Sequence, residues 1–244
     1  MGIFGNLQAY FYLCREAILS LTDLTFCMLD HHKIYSIMFR RYGDLGWWPA
    51  ETRDEILIGT ILTQNTTWTN VTKCISALKG EQFLTIKEIA KLDQTRLEEL
   101  IRSSGYFRQK ALRLKTICAR IISDLGGIES MDNMSTEDIS EYFSNLNGIG
   151  RETLDSILLY VFNRPVFVID AYTLRILERV YGSKIHPDKI RSDVVHDLKS
   201  STTDLKNYHA TFVETGKNYC RKQPKCVECP LYSECNYAID LSSP

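Results

Sequence analysis

Leu146-Asn147-Gly148-Ile149-Gly150-Arg151-Glu152-Thr153 sets the frame for the rest of the chain. Two glycines bracket one apolar residue, between two stretches with helical spacing. Glycine permits a tight turn there, and the helix that follows leaves free N–H groups at the positive end of its dipole. Such a surface suits a phosphate, read without regard to base. An ordinary helix-to-helix turn carries the same pattern, and Gly-x-Gly alone is a weak signal. Beyond the helical stretch Thr153 to Phe162 comes Pro165-Val166-Phe167-Val168-Ile169-Asp170-Ala171-Tyr172-Thr173-Leu174-Arg175. This apolar extended run delivers a carboxylate, Asp170, to a helix start, where it can also serve as an N-cap.

Outward from this pair, apolar residues recur at three- and four-residue spacing, and no two-residue alternation runs long enough for a sheet. Helices are expected from Ile56 onward, over Val71 to Leu78, Leu84 to Leu92 and Leu97 to Ile101, the last capped by Asp93 or Thr95. A longer helix carries Ala111, Leu114, Ile117, Cys118 and Ile121 and stops at Gly126-Gly127. Ser135 with Asp138 resembles a capping box before Ile139 to Leu146. Ala171 to Tyr181 follows, Pro187 interrupts, and Val194 to Lys199 and Leu205 to Asn218 close the series. The fold class is all-α. At 244 residues the chain makes one large domain or two modest ones. Residues 1–27 carry few charges and read as a docking helix or as sequence upstream of a true start at Met28.

The hairpin, the helix and the Val-Ile-Asp about 20 residues on together resemble the helix-hairpin-helix DNA glycosylase superfamily, which includes endonuclease III. That resemblance covers about residues 30–236. It implies a two-lobed fold: a six-helix barrel domain over 50–163, and a second helical domain from 28–49 plus 164–244. It makes Gly148, Ile149 and Gly150 the phosphate-binding hairpin and Asp170 the catalytic carboxylate. Leu57 to Thr66 looks like the first barrel helix and its loop, in which Gln64 or Asn65 would enter the duplex where the base leaves. Gly105-Tyr106-Phe107-Arg108-Gln109-Lys110-Ala111 matches the family's Gly-Tyr-x-x-x-Lys-Ala segment. Residues 101–125 hold six cations against Asp124 alone, whereas 126–155 hold Arg151 against seven carboxylates. A net charge of −1 excludes a uniformly basic coat but hides this local asymmetry. Arg108, Lys110 and Arg151 are accordingly expected to meet DNA.

Cys220-x5-Cys226-x2-Cys229-x5-Cys235 gathers four of the eight cysteines within loop 220–235. No secretory signal or membrane-length apolar run is visible, and Asn6 breaks a myristoylation pattern. A cytoplasmic, reducing setting is expected, in which clustered cysteines point to metal. The set suits a [4Fe–4S] cluster or one zinc. The family resemblance favours the cluster, in a structural role, although its usual first gap is six residues and here it is five.

The resemblance also bears on chemistry. Glu152 stands where the family's Schiff-base lysine would follow the hairpin arginine, and a carboxylate cannot form an imine. This implies a monofunctional enzyme in which Asp170 stabilises an oxocarbenium-like transition state. Tyr172 replaces the histidine frequent after the acid. All three tryptophans flank one helix, as Trp47-Trp48-Pro49 before it and Trp68 after it. Core packing is the ordinary use of tryptophan; a stacking box for an extruded cationic base is the functional one. Together with Glu152 these residues look like the 3-methyladenine DNA glycosylase branch, with Trp47, Trp48, Pro49, Trp68 and Glu152 lining the pocket. The expected partner is double-stranded DNA carrying an alkylated purine, bound by a monomer. The alternatives are an endonuclease III-like glycosylase and lyase for oxidised pyrimidines, using a lysine such as Lys73 or Lys110, and a DNA-binding module without catalysis.

Overall fold

The computed structural model describes residues 30–242, and the expectations for residues 1–27 lie outside them. Among the described residues there is no strand, so the all-α expectation holds. No described helix is long and apolar enough to cross a membrane.

Helices α1 (His31–Tyr42), α2 (Arg53–Leu62), α3 (Trp68–Gly80), α4 (Ile86–Lys91), α5 (Gln94–Leu100) and α6 (Phe107–Leu125) form the first half. Then come α7 (Thr136–Ser144), α8 (Arg151–Ser156), α9 (Ala171–Tyr181), α10 (Pro187–Asp197), α11 (Thr202–Asn218) and α12 (Asn236–Ser242). Local chemistry explains many ends. Thr52, Thr85, Asp93, Ser135, Asp170 and Ser201 each accept an amide of the first turn. At Ser135 the capping box with Asp138 is complete. Gly126 stops α6 with a left-handed residue.

Three elements differ from the sequence reading. Pro187 does not interrupt a helix; it opens α10 at the first helical position, where its missing N–H costs nothing. Helix α8 begins at Arg151 rather than Thr153, and its continuation over Ile157–Val161 widens to a π-helix. Helix α1 occupies what reads in sequence only as a domain start.

Buried apolar side chains form two clusters. One is drawn from Leu57 to Phe162 and is mainly aliphatic. The other joins Ile34, Tyr35 and Met38 of α1 to Leu159–Leu231 and is rich in aromatic rings, including Phe167, Tyr208 and Phe212. Ile56 and Val166 pack against both clusters. Across the junction, buried Asp155 of α8 accepts Arg151 Nε at 3.0 Å and Arg191 Nε of α10 at 2.7 Å. Burial raises the Asp155 carboxyl, against the pull of these two guanidiniums.

Candidate active site

A cavity of ≈440 Å³ opens between the two clusters. That volume lies within the range of small-molecule sites. Asp170, Glu152, Trp47, Trp48, Trp68, Gln64 and Tyr172 all face it, so residues far apart in sequence share one wall.

The aromatic side is continuous. Trp48 meets Trp68 edge to face at 4.9 Å between centroids, and Trp47 lies 6.0 Å from Trp68. Trp48 in turn contacts Tyr160 at 5.3 Å. The Trp48 ring lies close against α2 at Gly59, where a Cβ would stand 3.3 Å from Trp48 Cζ2. Pro49 corrects the sequence expectation. It is exposed, does not line the cavity, and sits inside the short turn closed by the Ala50 amide on the Trp48 carbonyl at 3.0 Å.

Asp170 caps α9, and its Oδ1 accepts the Thr173 amide at 2.7 Å. Its Oδ2 faces His209 Nε2 across 3.8 Å. Burial pushes the Asp170 carboxyl up, but the His209 side chain and the Thr173 amide outweigh it and hold the group below the usual carboxylate value. Glu152 is shifted the other way, by desolvation first and the Asp170 charge second. It keeps surface open to solvent, yet enough protein surrounds its carboxylate for both effects to act. One cavity thus holds two carboxyls whose environments shift them in opposite directions, Asp170 down and Glu152 up.

The hairpin adjoins the cavity through Gln64, which lines it. The Ile149 amide bonds the Leu146 carbonyl at 3.2 Å, and Ile149 packs down on the first core cluster. Gly148 and Gly150 are exposed, as is Arg151. Gly148 has φ +91°, and the Arg113 side chain fills the space a Cβ would need. Of the two candidates in the loop after α2, Gln64 is the one that meets the hairpin. Its Nε2 donates to the Gly148 carbonyl at 3.0 Å and to Thr153 Oγ1 at 2.9 Å, and its Oε1 accepts from Arg113. Asn65 is exposed, has φ 54°, and does not line the cavity.

Arg108 projects outward, with its side chain 80% exposed. Lys110 does not, which corrects its expected place at the DNA surface. It is buried, and its Nζ donates to the carbonyls of Leu62 at 2.8 Å and Ser104 at 2.7 Å, tying α6 to the end of α2 and to the turn at Ser104. Burial lowers this ammonium to about 8. Neither Lys110 nor Lys73 lines the cavity; Lys217 does, its Nζ 5.3 Å from the Trp47 ring centre and 3.0 Å from Glu214. Sequence reading missed Tyr160, His209 and Lys217. His209, Val213 and Lys217 recur every four residues on α11, a signal indistinguishable from an ordinary packed face.

Cys220, Cys226, Cys229 and Cys235 line a second, smaller cavity with Arg179. None of the four is joined in a disulfide, and Arg179 Nη1 lies 3.1 Å from Cys220 Sγ. Burial pushes the Cys229 thiol up to about 11. Among the described residues, no three His, Cys, Asp or Glu side chains converge tightly enough for one metal ion.

Residues 58–197 match the HhH-GPD superfamily of base excision DNA repair proteins. A Methanocaldococcus jannaschii protein named as a candidate DNA repair glycosylase is 42% identical over 84% of this chain and 94% of its own length. Endonuclease III of Thermotoga maritima is 30% identical, over 75% of this chain and 82% of its own. The structure of Helicobacter pylori 3-methyladenine DNA glycosylase bound to 1,N6-ethenoadenine superposes with TM-score 0.69 at 27% identity. It covers 78% of this chain and 98% of the other. The family match over more than half of the chain, together with these relatives, places the chain in the HhH-GPD superfamily as a DNA N-glycosylase.

Proposed function

We propose that the protein is a monofunctional glycosylase for alkylated purines. The observation that carries this reading is the single cavity that brings Trp47, Trp48 and Trp68 together with Asp170 and Glu152. The hairpin holds the duplex by its phosphates, and Gln64, at the rim, fills the gap that the departing base leaves. The extruded base enters among the tryptophans. An N-alkylated purine is cationic, so aromatic faces attract it, and its glycosidic bond is already weakened. Asp170, held ionised, then stabilises the positive charge that develops on the sugar as the bond breaks. Glu152 retains its proton more readily and supplies no amine for an imine.

Base release from duplex DNA carrying alkylated purines, scored with and without alkali, tests this. Abasic sites that break only after alkali are expected; strand breaks without alkali overturn the monofunctional reading. The second reading, a glycosylase and lyase for oxidised pyrimidines, draws on the Thermotoga relative and on Lys217, the one lysine among the cavity's lining residues. Trapping a covalent adduct on abasic DNA with borohydride would favour it.

The cysteine loop is best read as a [4Fe–4S] site. Four thiols share one cavity, and Arg179 stands ready to balance thiolate charge. A cluster of several irons would draw on all four thiols without requiring three of them to converge on one ion. Cys220, Cys226, Cys229 and Cys235 would hold it, and it would brace the chain beyond α11 against α9. Iron and sulfide analysis of anaerobically purified protein is expected to give about four of each per chain; zinc in their place overturns the assignment.

A further inference from the structure

His209 is buried, yet its Nε2 makes no hydrogen bond among the described residues. A buried imidazole nitrogen left without a partner is costly, so its position calls for a physical reason. Its Nδ1 is tied at 2.6 Å to the Tyr160 hydroxyl, which lies on the second core cluster behind Trp48. Tyr160 is fully enclosed, and burial holds its phenol protonated well above the usual value. The Tyr160 hydroxyl can also reach the Lys206 carbonyl, at 3.5 Å.

Where the ring's hydrogen sits follows from which way the phenol bonds. With a neutral imidazole whose Nδ1 accepts the phenol's hydrogen at 2.6 Å, the ring hydrogen sits on Nε2. With an imidazolium, both nitrogens carry hydrogen and the phenol donates to Lys206. In either state Nε2–H is aimed at Asp170 Oδ2, 3.8 Å away.

We propose that His209, clamped by Tyr160, is the positioning residue for Asp170: it aims an N–H at Oδ2 while the Thr173 amide holds Oδ1, so the carboxylate meets the developing sugar charge ionised and in one orientation. The inference rests on the proposed role of Asp170. It goes beyond that role by adding a Tyr160–His209–Asp170 chain running from the tryptophan wall to the acid. The charged and titratable groups that share the cavity with Asp170 are His209, Glu152, Tyr172 and Lys217, with Tyr160 behind His209. Of these, His209 is the one that favours the ionised carboxylate.

The test has two arms. In the free enzyme, 15N spectra of histidine-labelled protein, assigned by loss of one signal in H209Q, are expected to show His209 with Nε2 protonated, and less uniformly so in Y160F. Single-turnover methylpurine release from duplex DNA treated with dimethyl sulfate is then followed across pH. H209F is expected to lose roughly tenfold to a hundredfold in rate, as for a hydrogen bond to a charged group that closes from 3.8 Å only when DNA is bound. Its acid limb should move to higher pH, with binding to an abasic-analogue duplex unchanged. H209Q, whose amide nitrogen reaches the same place, should recover most of the rate. Wild-type rate and acid limb in H209F overturn the proposal, as do equal losses in H209F and H209Q without a moved limb. D170N serves as the control: if it releases base as fast as wild type, the role of Asp170 fails, and the spectra still decide whether His209 presents Nε2–H.

Discussion

The two core clusters are built on different principles. The cluster from Leu57 to Phe162 is closed by aliphatic side chains that follow one another along the chain. The cluster that joins α1 to the C-terminal half buries hydroxyls, amides and imidazoles among its rings. Tyr208 OH lies 3.3 Å from His31 Nδ1, and Asn207 Nδ2 donates to Tyr35 OH at 3.3 Å and to the Gly43 carbonyl at 3.1 Å. Non-directional apolar packing gives the first lobe its stability with few geometric demands. Directed hydrogen bonds give the second lobe less net stability but a defined place for each polar atom, including those around Asp170. The cavity lies where the scaffold meets the network.

The largest expected effect falls on chemistry alone. Asp170→Asn should cut base release on the order of 10²- to 10⁴-fold in single-turnover assays. Its melting temperature should hardly move, because asparagine caps a helix about as well as aspartate. Any Asp170 contribution to stability has a definite sign. Its folded value is depressed, so the contribution is present above the ordinary carboxylate range and is lost as pH falls through the depressed value.

Stability measurements sharpen the contrast between lobes. Phe143→Ala empties a fully buried ring position in the aliphatic lobe and should cost about 3–5 kcal/mol in urea unfolding. Tyr208→Phe in the polar lobe removes one hydroxyl and should cost about 1 kcal/mol. Equal losses would show that the second lobe depends on its network as the first does on its packing.

In the hairpin, Gly148→Ala forces a side chain into a left-handed conformation and against Arg113. A penalty of about 1–2 kcal/mol on the hairpin should weaken duplex binding roughly tenfold, read by fluorescence anisotropy. The smallest effect is expected at Glu152. Its folded value is raised, so its ionised form opposes folding above that value and the opposition fades as pH falls. Glu152→Gln should therefore raise the melting temperature at neutral pH and lose that advantage in acid.

Much of this was legible in the residues. Helix α9 spans Ala171–Tyr181 as its periodicity and its Asp170 cap indicate, and the capping box at Ser135 forms as read. The turn glycines of the hairpin and the tryptophans around α2 also stand out, because caps, turns and amphipathic spacing are set by neighbours a few residues away. Other features have no such local cause. Helix α1 exists as packed structure because Tyr35 and Met38 meet residues of α11 more than 160 positions later. Lys110 looks like a DNA-facing cation until the carbonyl ends of α2 and of the turn at Ser104 are placed around its ammonium. Gln64 and Asn65 are equivalent in one dimension, and only the approach of Gly148 separates them. His209 is one polar residue on a packed helix face until Tyr160 and Asp170 arrive on either side of its ring. Secondary structure, turns and the acid are therefore written locally. Which side chains share the cavity was settled by the docking of two cores, where burial leaves each polar atom few partners to choose from.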